Sequence, residues 1–412
     1  MAAAFSTGAE HEHVMTTFAE SLGFKKGAML PFASAPYALN VLSPTDPLST
    51  LLQSKLAANV TANFSGNYPD HKAKLVPFSI MLLSHDPKGA HAYAGVNDTK
   101  MCFSASLLKP GVAFAAFELL AAANRIAAGT AIPTVAALAT SMNAAFKAHL
   151  ARYPFDSTLS ALTPDRPQYT TIFQVNAAAP FVAFDDTFAA NLKVMITKSG
   201  NPEATASIDA LGFTYVNCAL AAGGFFSATS GHHKDGHGIW ISGDYGSLEA
   251  RLVSTVNDGD GKLVMDTSTM CRLFALIELQ QLVDATSSGT LQGWLAQTAP
   301  NDPPFITRDD HDNTITVPDF DVLRNKLGEE QIGRPATTTH PSTLGQNVFS
   351  ECSVLGWKIV GPPATSTLTK LINKGFSTKV IVCWQNYQED QTSTYAPLRQ
   401  VVIDTVNQFA AA

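Results

Sequence analysis

Apolar residues recur at helical spacing over 48–62, where Leu48, Leu51, Leu52, Leu56 and Val60 fall on one face. Leu75 to Leu83 is a nearly continuous apolar run and reads as a strand. Asp86-Pro87-Lys88-Gly89 supplies a turn, and His91-Ala92-Tyr93-Ala94-Gly95 begins the return strand. The next helix, near 106–127, is apolar nearly all round, which predicts burial on every side. Further helices are predicted at 133–150, 186–197 and 203–222. Another runs from Met265 through Leu282, with Leu273, Leu276, Ile277 and Leu279 facing inward, and Leu291-Gln292-Gly293-Trp294-Leu295 closes this part. Sheet character returns at Asn347 to Ser353, Ser366 to Ile372 and Lys379 to Trp384, and a last helix covers about 394–409.

Three segments fall outside this pattern. Residues 153–182 carry four prolines and read as a loop or insertion; 223–262, rich in glycine and histidine, reads as an extended surface loop. Residues 299–346, rich in Asp, Pro and Thr, read as an insertion rather than core. The order of elements predicts an α+β fold. An antiparallel sheet flanked by helices is built from both chain ends, 48–105 and 345–412, and 106–300 forms an all-helical lobe. Residues 1–47 make an N-terminal extension. A cleft between two such lobes is a common place for an active site.

Composition narrows the partners. The chain has 412 residues, of which 46% are hydrophobic and only 15% charged, enough for a sizeable core. Net charge is −7, Lys25-Lys26 is the only adjacent basic pair, and no basic stripe with interleaved aromatics occurs, which argues against nucleic acid. The longest apolar stretches, such as Val112 to Ala123, fall short of a membrane span. Five cysteines at 102, 218, 271, 352 and 383 form no C-x-x-C pair and read as buried free thiols. The first residues lack a basic n-region and an apolar h-region, which leaves a cytoplasmic protein or a processed secreted one.

The candidate chemistry lies at Ser106-Leu107-Leu108-Lys109. A serine and a lysine three apart at a helix start share a face about one turn apart, so the amine can take the hydroxyl proton and make a nucleophile. The rival reading is a helix-capping serine beside a surface lysine, against which the apolar surroundings argue. Ser199-Gly200-Asn201-Pro202 is a second candidate: two polar side chains on a tight loop between helices, or else an ordinary turn with Asn201 as the cap. His232, His233, Asp235 and His237 crowd a glycine-rich loop that reads as solvated rather than metal-binding, and His11-Glu12-His13 lacks zinc-protease spacing. No Gly-x-Ser-x-Gly elbow, dinucleotide fingerprint or P-loop occurs.

Together the Ser-x-x-Lys and Ser-x-Asn motifs resemble those of class A β-lactamases and penicillin-binding D,D-peptidases. The hairpin Phe78 to Gly95, Ile208-Asp209-Ala210-Leu211-Gly212-Phe213, Asp266-Thr267-Ser268-Thr269-Met270 and the closing strand and helix are also similar to that family. The resemblance covers roughly 48–409. It implies a β-lactamase/transpeptidase-like fold and a serine hydrolase working through an acyl-enzyme. Ser106 would be the nucleophile, Lys109 its proton partner, Ser199 the shuttle to the leaving group, and Asn201 a holder of Lys109 and substrate. Tyr215, in Tyr215-Val216-Asn217, is the alternative shuttle. The family's Lys-Thr-Gly triplet is missing. Ser350-Glu351-Cys352-Ser353 lies at about the right place, with Ser353 bordering the substrate, while Lys326-Leu327-Gly328 comes early. With an acidic Glu351 in place of a cation, a neutral ester or amide is the expected substrate. Glu249 falls in the loop region where the family carries a deacylating glutamate, but Leu248-Glu249-Ala250-Arg251 does not otherwise match that loop, and Glu249 reads as a solvated surface residue. The expected partner is a small-molecule ester, amide or peptide-like substrate, with no cofactor and no metal. The resemblance points to a secreted or periplasmic protein. A binding protein that keeps the fold without turnover is the alternative, and a metal hydrolase built on the histidine loop a third.

Overall fold

The computed structural model describes residues 37–64, 76–129, 132–150, 167–179, 181–228, 236–245, 253–255, 259–299, 302–309, 311, 313–330, 347–362, 365–388 and 395–412. Helix α1 (Pro47–Phe64) starts where Asp46 Oδ1 accepts from the Leu48 N–H at 2.8 Å, with Pro47 in the first turn. The hairpin of β1 (Phe78–Ser84) and β2 (Ala92–Val96) follows. A 3-10 turn, Ala105–Leu108, leads into α2 (Lys109–Gly129). Then come α3 (Val135–Leu150), α4 (Asp186–Thr197), α5 (Asn201–Leu211), α6 (Phe213–Ala222), α7 (Thr267–Glu278) and α8 (Ala285–Ala296). Strands β3 (Phe320–Glu330), β4 (Asn347–Trp357) and β5 (Phe376–Gln388) and helix α9 (Tyr395–Ala411) complete the chain.

The main sheet has the order β3-β4-β5-β1-β2 and is antiparallel throughout. Its two faces follow the two-residue period of extended chain. Phe78, Ile80, Leu82, Phe349, Leu355, Val380, Val382 and Trp384 pack with Leu52, Leu56, Leu398, Val401 and Val402 of α1 and α9. Met81, Leu83, Cys352, Val354, Ile381 and Cys383, on the other face, join the core of the helical lobe. Each fully buried aliphatic or aromatic side chain contributes about 1.5–3 kcal/mol, so the two cores together offset a large ordering entropy. Glu278, at the end of α7, pairs with Arg324 of β3 at 2.9 Å and with Lys379 of β5, which fixes α7 across the sheet.

The α+β class and the sheet built from both ends match the pattern of the sequence. Several local readings are corrected. The 299–346 stretch, which the sequence pattern predicts to be an insertion, supplies β3, an edge strand of the main sheet. Ser366 to Ile372 is a short helix, Thr367–Asn373, because Ser366 Oγ caps it by accepting from Thr369 N–H at 3.1 Å. The 203–222 helix breaks at Gly212, whose φ of 79° lies in the left-handed region open to glycine. The supposed surface loop 223–262 is partly buried. Trp240–Ile241 pairs with Leu263–Met265, which in turn pairs with Cys102–Phe103, and Trp240 is 1% exposed.

The segment Ala105–Ala128 is long and apolar enough to cross a membrane, and it is mostly buried inside the protein, as expected of a central core helix. All five cysteines are buried and unbridged. Residues 1–36, with His11-Glu12-His13, the first half of the 153–182 segment (153–166), and 331–346 lie outside the described residues.

Candidate active site

The site begins at the turn before α2. Ser104 N–H donates to Leu263 O at 3.0 Å, and Leu107 N–H donates to Ser104 O at 3.1 Å. Ser350 of β4 donates its hydroxyl to the same Ser104 carbonyl at 2.7 Å. Ala105 takes a φ of 47°, strained for a residue with a side chain, and so turns Ser106 out of line with the incoming strand. Gly328 of β3 lies against this turn: a Cβ there would sit 2.1 Å from Ser104 O and 3.0 Å from Leu107 N. Only glycine lets β3 approach the nucleophile's turn this closely.

Lys109 is fully buried one turn on. Its Nζ lies 2.9 Å from Ser106 Oγ, 2.6 Å from Ser199 O and 2.7 Å from Asn201 Oδ1. The last two oxygens can only accept, so two amine hydrogens go to them. In the neutral amine the remaining position, facing Ser106, is the lone pair. Burial first, and then the nearby Lys326, lower the Lys109 pKa to about 6 against the opposing pull of Glu203 and Asp302. The ring of Tyr245 covers the amine at 4.3 Å, and its hydroxyl donates to Ala105 O at 3.1 Å.

Ser199 and Asn201 sit between α4 and α5. Ser199 has a φ of 57°, and Gly200 rather than Asn201 is the cap of α5. The Asn201 side chain is therefore not spent on capping and holds Lys109 instead. Lys326 reaches the same corner from the sheet edge. Its Nζ donates to Ser199 Oγ at 2.8 Å and to Ile196 O at 3.0 Å. Burial lowers its pKa to about 7, which Asp302 opposes.

The structure thus brings Ser106, Lys109, Ser199 and Asn201 together, and leaves Tyr215 and Ser353 out. Tyr215 is buried inside the helical lobe, where its hydroxyl donates to Ala115 O at 3.0 Å and its ring meets Phe146 edge-on. Ser353 and Glu351 lie on the sheet face turned toward α1 and α9, because the site-facing positions of β4 are Ser350 and Cys352. Ser353 Oγ donates to Glu351 Oε1 at 2.5 Å, and Glu351 Oε2 accepts from Ile306 N–H at 3.1 Å. Burial raises the Glu351 pKa to about 7. The third triplet bordering the site is instead Lys326-Leu327-Gly328, set aside in the sequence for its early position. Among the site neighbours, Lys326 and Gly328 belong to the triplet that sequence reasoning ranked second, Ser350 to the stretch it preferred, and Tyr245 is the one it missed.

Glu249, His232, His233 and Asp235 lie outside the described residues. His237 is exposed, with Nδ1 3.2 Å from Thr99 O. Among the described residues, no group of three or more His, Cys, Asp or Glu side chains is placed to hold a metal ion.

No family model and no curated protein matches the chain. Solved structures similar to it include a class A β-lactamase from Bacteroides cellulosilyticus, at 12% identity over 87% of this chain and 98% of that one, with a TM-score of 0.43. A class A β-lactamase from Mycobacterium abscessus is similar at 14% identity over 86% and 97%, TM-score 0.41. The TLA-3 extended-spectrum β-lactamase is similar at 10% identity over 87% and 97%, TM-score 0.45.

Proposed function

We propose that this protein is a serine hydrolase that acts on an ester or amide carbonyl through an acyl-enzyme on Ser106. The observation that carries this reading is the Lys109 amine, 2.9 Å from Ser106 Oγ, buried and held by two oxygens that can only accept. At neutral pH most of this amine is unprotonated, since its pKa is lowered to about 6. It takes the Ser106 proton as Oγ attacks the carbonyl carbon. The charge that develops on the carbonyl oxygen needs backbone donors. The Ser106 N–H is one, and the edge strand beside Gly328 offers a second. As the tetrahedral species collapses, the leaving group departs with the proton of the Ser199 hydroxyl. Lys326, whose Nζ touches Ser199 Oγ, re-protonates it, and the proton that Lys109 took from Ser106 makes good the loss, so Lys109 is neutral again. Water then attacks the acyl carbonyl and gives a proton to Lys109, which passes it to Ser106 Oγ as the acyl bond breaks and the acid product leaves.

Lys326 changes the substrate expectation. Glu351 faces away from the site, and a lysine borders it, so a small ester, amide or peptide-like substrate bearing a carboxylate suits the site better than a strictly neutral one. With Lys326-Leu327-Gly328 counted, three motifs resemble those of the class A β-lactamases and D,D-peptidases. Leu327 departs from that pattern by lacking a hydroxyl.

The test is labelling with a fluorophosphonate and, separately, with a fluorescent penicillin, followed by peptide mass mapping. The expected adduct is on Ser106 and is absent from Ser106→Ala. A folded wild type left unlabelled by both probes, with reporter esters intact, would overturn the enzyme reading in favour of a binding protein of the same fold.

A further inference from the structure

Cys352 of β4 and Cys383 of β5 stand directly opposite each other in the antiparallel ladder. Both are fully buried and face the helical lobe. The pairing type follows from the neighbouring strand. Gln385 N–H donates to Pro77 O, while Trp384 pairs with Phe78, so the backbone groups of 381, 383 and 385 point toward β1. Those of 382 and 384 therefore point toward β4. Cys352 and Cys383 are accordingly a non-hydrogen-bonded pair, the kind with Cα atoms about 4.5 Å apart and side chains closest. Disulfides span Cα separations of about 4.4–6.8 Å, so no backbone movement is needed. Burial first, and then the neighbouring Cys383, raise the Cys352 pKa. Cys271 of α7 lies nearby as a third thiol, and burial raises the pKa of Cys271 and Cys352 well above the ordinary value.

We propose that Cys352 and Cys383 are a modification site: a cross-strand dithiol that closes to a disulfide when it meets a disulfide oxidant such as oxidised glutathione. One cysteine thiolate attacks the glutathione disulfide and releases one glutathione thiolate. The other cysteine thiolate attacks the mixed disulfide and releases the second. Two S–H bonds of the protein become one S–S bond. The protein loses two electrons, which reduce one oxidised glutathione to two thiols. Because the pair lies under α7 inside the core, exchange takes place while the chain folds or when the sheet opens, not in the closed state. The product ties together two strands of the main sheet.

The experiment takes the full chain through refolding from denaturant in oxidised glutathione, and in parallel through dithiothreitol. Untreated native protein is incubated in the same oxidant, so that a failure to refold does not decide the matter. Each sample is acid-quenched, denatured, alkylated and weighed. The expected result in oxidant is a two-dalton loss, alkylatable thiols falling from five to three because the pair removes two, and a linked peptide joining Cys352 to Cys383. The oxidised form should melt at a higher temperature and revert on reduction. Cys271→Ser should leave the bridge unchanged. Five alkylatable thiols in both oxidant-treated samples, under conditions that fully oxidise a free dithiol, would overturn the proposal. A bridge involving Cys271 or Cys102 instead would do the same.

Discussion

Lys326 donates to the Ser199 hydroxyl at 2.8 Å, and this bond joins the two lobes across the site. Lys326 comes from the sheet edge, Ser199 from the corner between α4 and α5. The Ser199 carbonyl meanwhile accepts from Lys109 at 2.6 Å. One residue therefore receives both amines through different atoms, and a charge on Lys326 disfavours one on Lys109. Lys326 is, after burial, the main influence lowering the Lys109 pKa.

Removing the Lys326 amine should weaken the base. In Lys326→Met the neighbouring charge is gone, so the Lys109 pKa rises and the acid limb of Ser106 labelling moves to higher pH. The Ser199 shuttle also loses its partner, so turnover should fall roughly 10²-fold, the scale of one proton-transfer group. The check is a pH–rate profile of the variant beside the wild type. A slower rate with an unmoved limb would mean that Lys326 acts on Ser199 alone.

The two amines predict the pH profile of the wild type. Lys109 becomes a base as pH rises through about 6, so labelling by a neutral ester should rise through that value and level off. Lys326 loses its charge near 7, so a substrate carrying a carboxylate should show an additional alkaline limb there. The two titrations belong to the pair and will be read as macroscopic values. Stopped-flow acylation with matched neutral and anionic esters separates the limbs. A profile rising only near the ordinary lysine pKa would sink this assignment.

The close approach at Gly328 predicts a steric phenotype. A Cβ at this position would lie 2.1 Å from Ser104 O and close to the Leu107 N–H, both backbone atoms that cannot swing away. Gly328→Ala should displace β3 from the nucleophile's turn and cost about 1–3 kcal/mol of stability, the usual price of overpacking. Labelling of Ser106 should fall more than the stability change alone explains. Denaturant titration alongside probe labelling measures both.

Why Ser106 and Lys109 were legible while Lys326 was not follows from the range of the signals. The first pair is a local helical spacing within an apolar segment, and its apolar surroundings already implied a buried amine. Ser199 and Asn201 were legible for a similar reason, since Pro202 marks a helix start. Strand β3 carries a register shift between Val322 and Arg324, which breaks the two-residue alternation. Its site-facing positions include a lysine and a glycine rather than apolar residues. Its neighbours in sequence are polar, so it merged with them. The glycine itself was the available signal, because a strand glycine marks close backbone approach. Thr367, Thr369 and Ile372 suggested a strand by their branched side chains, and the cap from Ser366 decided for a helix.

Tyr245 predicts a separable effect. Its ring lies over the Lys109 amine at 4.3 Å, and its hydroxyl holds the strained Ala105 carbonyl at 3.1 Å. Tyr245→Phe keeps the ring and removes the hydroxyl, so it should slow Ser106 labelling with the acid limb unmoved. Tyr245→Leu also removes the ring, which favours the ammonium form and keeps water from the amine. Its acid limb should therefore shift relative to Tyr245→Phe. Identical profiles for the two variants would show that the ring has no bearing on the base.

Glu351 gives the stability of the fold a pH dependence of its own. Its carboxyl is buried on the far side of β4, with a pKa raised from 4.5 to about 7. Between these values the folded protein holds a proton that the unfolded chain has released. Stability is therefore greatest below about 4.5 and is lost as pH rises toward about 7, with no further loss above. The shift corresponds to at most roughly 3 kcal/mol. Glu351→Gln cannot ionise and keeps an oxygen for the Ile306 N–H, so it should escape that loss. Lys109 and Lys326 titrate in the opposite sense, their lowered pKa values adding stability as pH rises, but they do so in both proteins and cancel in the comparison. Urea unfolding of wild type and variant at pH 5 and pH 8 should show the difference moving in favour of the variant at the higher pH. A difference that is the same at both values would mean that Glu351 is ionised in the folded protein throughout.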